Sequence, residues 1–379
     1  MYIFTANNIE LQKYIYEYLD WANFTWQESA INSIFGEVRN LQGKLAGTMA
    51  TLGFTTKTEV SLSNLTLDVV KSSEIEGEKL DYEQVRSSIA QKLGINIAGL
   101  VPTNRNVEGV VEMMLDATQN YQNPLTEERL FAWHAALFPS GYSGLSKIEI
   151  GCYRTGEMQI ISGAFGKEKV HYVAIPAFSV KNEMDKFLKW FNESASLDPV
   201  LKAAIAHFWF IIIHPFADGN GRMARAISDL MLARADGVAE RYYSMSSQTL
   251  IERKQYYEIL QKWQHSNGDI TNWLTWFLQC LKNSLLSTEV NLKKILAKKA
   301  FWNMYEATII NKRQRLVINK LFDGFDGNLT SSKWAKITKC SADTALRDIK
   351  YLIEKGILQQ QLQGGRSTNY LFTYQETVS

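Results

Sequence analysis

The chain has 379 residues, 46% of them hydrophobic and 21% charged, with 41 Lys plus Arg against 39 Asp plus Glu and a formal net charge of +2. That length and apolar content suffice for a large core divided over more than one domain. No apolar run approaches the length of a membrane span, and the first residues, Met1 to Asn8, lack a basic stretch followed by an apolar one, so no membrane contact and a cytoplasmic location are expected. The 3 cysteines, Cys152, Cys280 and Cys340, are widely spaced and odd in number, which points to reduced thiols and away from a disulfide frame or a zinc site.

In chain order, residues 1–54 form an N-terminal extension carrying Trp21, Phe24 and Trp26, then an amphipathic helix from Glu28 to Leu52. Residues 55–300 are nearly all helical. Within a helix at about 60–80, Ser72 and Glu76 stand one turn apart and share a face. The acid-rich run from Glu74 to Glu83 otherwise reads as a solvated helix end. The stretch from Ile148 to Pro176 is β-rich: Tyr153-Arg154, Glu157 to Ile161, a turn region at Gly163 to Gly166, and Lys169 to Val173 before Pro176. This pattern predicts a hairpin. His171 on it is a candidate metal ligand or second base, although an isolated strand histidine is more often structural.

From Leu201 to Ile213 the chain is apolar on all sides, as in a buried helix, and it stops at His214-Pro215 because proline disfavours helical geometry in the residue before it. Gly219 and Gly221 permit a tight loop. From Arg222 a second helix is predicted, so the loop's free N–H groups and the positive end of a helix dipole face one small space suited to an anion. Arg222 and Arg225, three apart, can hold separate phosphates of one nucleotide. Asp218 is an oxygen ligand suited to Mg²⁺, and His214 is a candidate general base.

Further on, Arg253 to Leu260 opens an aromatic helix in which Tyr256 and Tyr257 are candidates for a base pocket, while Trp263, Trp273, Trp276 and Phe277 read as core. Residues 301–379 make a third domain. From Lys312 to Phe372 it has helices at Leu316 to Phe322, Ser332 to Ile337 and Ala342 to Lys355, with Ser341 as N-cap of the last and a turn at Gly364-Gly365-Arg366, the layout of a winged helix-turn-helix. Eleven Lys or Arg against five Asp or Glu over that span give +6, so the chain's positive charge is concentrated there. Winged helices also serve as protein-binding modules, and DNA and protein contact through 312–372 stand level. Arg347 and Arg366 are the positions to substitute first.

The run His214-Pro215-Phe216-Ala217-Asp218-Gly219-Asn220-Gly221-Arg222-Met223-Ala224-Arg225 resembles the signature of Fic-domain proteins at every fixed position. The resemblance implies a mainly α fold, a Fic-type helical bundle with a β-hairpin flap, here followed by the winged helix. It implies transfer of AMP from ATP to a Tyr, Ser or Thr hydroxyl of a target protein. His214 would be the base, Asp218 would hold Mg²⁺ between the α- and β-phosphates, and Asn220 with the Gly219 and Gly221 amides would cradle those phosphates. Arg222 would lie close by, Arg225 would pair with the γ-phosphate, and Phe216 would anchor the loop.

Ser72-Ser73-Glu74-Ile75-Glu76-Gly77 is similar to the family's inhibitory motif, which implies that Glu76 occupies Arg225 and displaces ATP. Beside a metal the same glutamate could instead activate a water and remove AMP. Gly151-Cys152-Tyr153-Arg154 resembles the element before the flap, on which a target segment would dock at 153–176; Ile175-Pro176 stands where relatives often carry Pro-Pro. The segment of Arg253 to Leu260 resembles the one that supplies the adenine pocket, and 1–54 the extension of one Fic subgroup. The alternatives are a nucleotide-sensing DNA-binding regulator and a transferase with another donor, such as UMP or phosphocholine. The intact His214 and Asp218 favour the enzyme. The target, the trigger that frees Glu76 and the oligomeric state stay open, a homo-oligomer included.

Overall fold

In the computed structural model the described residues are 13–97, 99–162, 169–193, 197–323, 325, 327–361 and 368–374. The expected turns at Gly163 to Gly166 and Gly364 to Arg366, and the first eight residues, lie outside them. The chain divides into two compact units, 1–288 and 289–379.

The first unit opens with a segment that crosses the core before any long helix begins. Trp21 meets Trp209 edge-on at 6.2 Å and Phe24 meets Phe208 at 5.8 Å. Helix α1 (Glu28–Ala50) ends two residues before the expected Leu52. Helix α2 (Phe54–Ile75) follows, with Glu76 as its C-cap. The next three, α3 (Tyr82–Lys92), α4 (Arg105–Gln119) and α5 (Glu127–Leu137), each begin at a side chain that accepts an N–H of the first turn: Asp81, Asn104 and Thr126.

A small hairpin, β1 (Tyr142–Ser143) with β2 (Ser146–Lys147), then precedes the larger one, β3 (Gln159–Ser162) with β4 (Lys169–Val173). The larger pair is antiparallel, with Gln159 opposite Val173 and a register shift after Ile160. The expected β-rich stretch from Ile148 contributes strand only from Gln159 onward.

Helix α6 (Val180–Asn192) leads to α7 (Pro199–Ile213), where Asp198 caps the N-terminus and Pro199 occupies the first turn. All of α7 between Val200 and Ile213 except Ile211 is buried, as its all-round apolarity requires. Helix α8 (Asn220–Asp236) packs along it and starts two residues before the expected Arg222. Helices α9 (Met245–Ile251), α10 (Arg253–Trp263) and α11 (Thr271–Met304) follow, the last belonging to the second unit from residue 289 onward. Trp273 and Phe277 are buried in the core, whereas Trp263 and Trp276 are half-buried.

The second unit holds α12 (Lys312–Asp323), α13 (Ser331–Thr338), α14 (Ala342–Glu354) and an antiparallel pair, β5 (Leu358–Gln360) with β6 (Tyr370–Phe372). Its own core gathers Val317, Ile318, Trp334, Ile349, Leu352 and Tyr370. The first of these helices begins four residues before the expected Leu316.

Candidate active site

His214 ends α7 in the left-handed region, φ 52° and ψ 57°, a conformation a non-glycine residue adopts only when its surroundings impose it. The backbone of the loop is clamped by Arg154, whose guanidinium donates to the carbonyls of His214 (2.8 Å), Gly156 (2.9 Å) and Ile175 (2.5 Å). Its own N–H donates to Pro215 O at 2.9 Å. Arg154 therefore fastens both the loop and the end of β4's connection.

The imidazole Nδ1 of His214 lies 3.2 Å from Ile211 O. A carbonyl only accepts, so Nδ1 carries the proton and Nε2 is left as an acceptor. Burial lowers the imidazole to about 4, opposed by that hydrogen bond and reinforced by the Arg154 charge. His214 is a neutral base near neutral pH.

Phe216 is fully buried and stacks on His134 with ring centroids 4.4 Å apart. His134 accepts from Gly151 N–H at 3.1 Å, and burial lowers it to about 4, so it too is neutral. The Asn220 side chain closes the loop: Oδ1 accepts from Phe216 N–H at 3.0 Å and Nδ2 donates to Phe216 O at 2.8 Å. Its Oδ1 and one N–H of its amide are committed to the loop, and at the start of α8 Asn220 also offers an anion its backbone N–H, alongside that of Gly221.

Gly219 has φ 79°, and a Cβ there would come within 2.9 Å of the Phe138 ring. Asp218 Oδ1 accepts from Gly219 N–H at 2.6 Å, and Oδ2 accepts from the Ser143 hydroxyl. A carboxylate oxygen has two acceptor sites, so Asp218 keeps capacity for a cation. One hard oxygen ligand beside an anion site suits Mg²⁺, which takes its other ligands from water and phosphates.

The anion site is filled from within the chain. Glu76 Oε1 pairs with Arg225 Nη2 at 2.7 Å and lies so close to Gly221 that a Cβ there would be 2.1 Å from it. Only glycine leaves room for an anionic oxygen over this helix start. Arg225 is buried, and it also donates from Nε to Ser72 Oγ at 2.8 Å and from Nη2 to Ser72 O at 2.9 Å. Ser72 and Glu76 thus converge on one guanidinium.

A second pair lies beside the first. Arg222 Nη1 meets Glu78 Oε2 at 2.7 Å, and its guanidinium sits 5.1 Å over the Phe138 ring. It borders a cavity of about 410 Å³ lined in part by Glu78, Lys79, Asn106, Ser140 and Ser143. Buried Arg222 Nε and Arg225 Nη1 have no hydrogen-bond acceptor among the described residues. These are the donors a phosphate would satisfy.

Of the two tyrosines, Tyr256 is buried and places its hydroxyl 2.9 Å from His207 Nε2, behind Arg225, so it belongs to the core layer supporting the site. Tyr257 is 41% exposed and its hydroxyl donates to Ile75 O at 3.3 Å. Only Tyr257 presents ring surface next to the Glu76 segment. His171 lies on β4, where its carbonyl accepts from Gln264. Roles for Arg154, Glu78, Ser143 and His134 were missed in the sequence. Tyr153-Arg154 was legible as a motif, but which carbonyls it would reach was not.

Residues 124–232 match the Fic/DOC family, and residues 14–95 match a domain of unknown function (DUF4172). Protein adenylyltransferase fic-1 of Caenorhabditis elegans is 29% identical over 138 residues, 34% of this chain and 25% of that protein. Protein adenylyltransferase Fic of Drosophila mojavensis is 36% identical over 104 residues, 27% of this chain and 19% of that protein. The chain thus spans a quarter or less of the length of these curated relatives. A solved Fic family protein from Desulfovibrio desulfuricans shares the fold, with a TM-score of 0.53 at 22% identity over 93% of this chain and 98% of that one. No helix among the described residues is long and apolar enough to cross a membrane. With the loop from His214 to Arg225 inside the matched span, residues 124–232 of this chain are a Fic domain.

Proposed function

We propose that this chain is an autoinhibited protein adenylyltransferase that moves AMP from ATP to a hydroxyl side chain of a target protein and releases pyrophosphate. The observation that carries it is the Glu76 carboxylate seated on Arg225 and Gly221, an anion of this chain in the place built for a phosphate. In the released form the donors freed on Arg225 and the α8 N–H groups hold the phosphates. His214 Nε2 takes the proton of the attacking hydroxyl, its tautomer fixed by Ile211 O. The oxygen–phosphorus bond to the target forms as the bond to pyrophosphate breaks, chemistry that rests on positioning and charge neutralisation. Asp218 would hold Mg²⁺, which neutralises phosphate charge when bound. Exposed Ile160, Ile161 and Val170 on the β3–β4 hairpin offer an extended target segment a strand to pair with and an apolar face to cover.

Inhibition in this proposal uses both arginines. Glu78 holds Arg222 as Glu76 holds Arg225, so the turn after α2 must leave before a triphosphate reaches either guanidinium. Replacing His214 by alanine in a Glu76→Gly background tests the base. Transfer should be lost while ATP binding, measured by calorimetry, stays within about threefold, because the phosphate contacts are untouched. Loss of ATP binding together with transfer would make His214 a structural residue. ATP binding without transfer in the Glu76→Gly form itself would redirect the reading to AMP removal or another donor.

A further inference from the structure

The second unit carries a surface that the transferase chemistry does not use. Helix α14 buries Ala345, Asp348, Ile349 and Leu352 on one side, and on the other it exposes Asp343, Leu346, Arg347, Lys350 and Glu354. Asp348 is not part of the outer face. Burial works against its ionisation, yet Arg313 (2.8 and 3.1 Å) and Asn311 (2.9 Å) hold the carboxyl below its ordinary value. One of the region's few acids is therefore consumed internally, on the start of α12.

The consequence is a one-sided surface charge. Among the residues of 312–372 whose exposure is described, nine lysines and arginines are exposed against two carboxylates, Asp343 and Glu354. On α13 and the turn after it, Lys336 and Lys339 are exposed as well. Among the described residues, Lys336, Lys339, Arg347 and Lys350 enter no ion pair. Such a concentration of unneutralised cations costs self-repulsion unless a polyanion meets it.

The turn from α13 to α14 spans Lys339, Cys340 and Ser341, with Lys339 left-handed at φ 51°. The Ser341 side chain accepts from Thr344 N–H and starts α14 cleanly. Three helices followed by the β5–β6 ribbon set α14 in the position of a recognition helix, and its 13 residues extend for about 20 Å. B-form DNA has a major groove about 12 Å wide, enough for one helix.

We propose that this face binds duplex DNA, with α14 in the major groove and Lys336 and Lys339 on flanking phosphates. Arg347 and Lys350 face the groove, and Leu346, 38% exposed, suits a thymine methyl. Double-stranded RNA is excluded by shape, since its major groove is too deep and narrow for side chains to read. The proposal is independent of the transferase reading, because its residues lie in the second unit and the Fic loop lies in the first.

The test is fluorescence anisotropy of the full chain with short labelled duplexes of mixed sequence. Binding at about 50 mM salt should weaken on the order of 100-fold by about 200 mM, and Lys336→Gln or Lys339→Gln should each reduce the logarithmic salt slope by about one. Arg347→Ala with Lys350→Ala should weaken binding at least about tenfold at an unchanged thermal midpoint. An RNA duplex of the same length should bind more weakly than DNA. No binding at the lower salt, equal affinity for both duplexes, or binding indifferent to these variants overturns the proposal. So does self-association lost in Leu346→Glu by sedimentation without any DNA binding, which would make the face a protein contact.

Discussion

His214 is held in a left-handed backbone by Arg154 and its imidazole is kept neutral by burial, so under the proposed function it would stand ready as the base before any substrate arrives. Its value of about 4 sets a pH dependence. A general base works unprotonated, and lowering its pKa moves the acid limb of kcat/KM down with it. In a Glu76→Gly form, kcat/KM should change less than about twofold from about pH 8 to about pH 5.5 and fall only near pH 4. A limb centred at about 6.5, the value of a free imidazole, would show that His214 is solvated in the working enzyme.

Glu78 makes a second residue-scale prediction. Its pair with Arg222 is half exposed on the carboxylate side, and such pairs contribute at most about 1 kcal/mol. Glu78→Gln should therefore raise basal AMP transfer about two- to fivefold, less than Glu76→Gly, and the double variant should exceed either. A Glu78→Gln protein with native labelling, in a background where Glu76→Gly is active, would remove Glu78 from the lock.

The helix ends that were legible in the sequence are those that local chemistry dictates: the apolar run of α7, Pro215 after His214, and the acceptor at Ser341. The early start of α8 at Asn220 was not, because Asn220 is a weak helix former whose side chain is committed to Phe216, a tertiary contact that no spacing reveals. The same limit hid Arg154, which links elements 60 residues apart in sequence. Arg154→Ala leaves three carbonyls without their donor and should cost about 3 kcal/mol of stability. Arg154→Lys, which lacks the planar fork, should restore charge but not transfer. Full activity in Arg154→Lys, checked by label transfer and thermal unfolding, would show that only a positive charge is needed there.

At the scale of the whole chain, the segment before α1 is not an appendage. Ile15 N–H donates to Gln264 O, and Tyr16 donates to Val173 O at 3.0 Å, so this segment holds β4 from outside while α2 supplies Ser72 and Glu76. The matched span 14–95 therefore contributes both the brace for the hairpin and the carboxylate on Arg225. Sequence spacing placed Ser72 and Glu76 on one face; the contact with Gly221 came only from the fold, since the two lie on different helices. The most direct measurement is transfer of label from α-³²P-ATP with Mg²⁺ to the protein and to a cell lysate, comparing the native chain with Glu76→Gly. Labelling that rises at least about tenfold in Glu76→Gly is the expected result, because a partly buried, charge-assisted pair of this kind is worth about 1.5–3 kcal/mol. Native labelling equal to that of Glu76→Gly would contradict autoinhibition, and no labelling of either form with ATP bound would contradict AMP transfer itself.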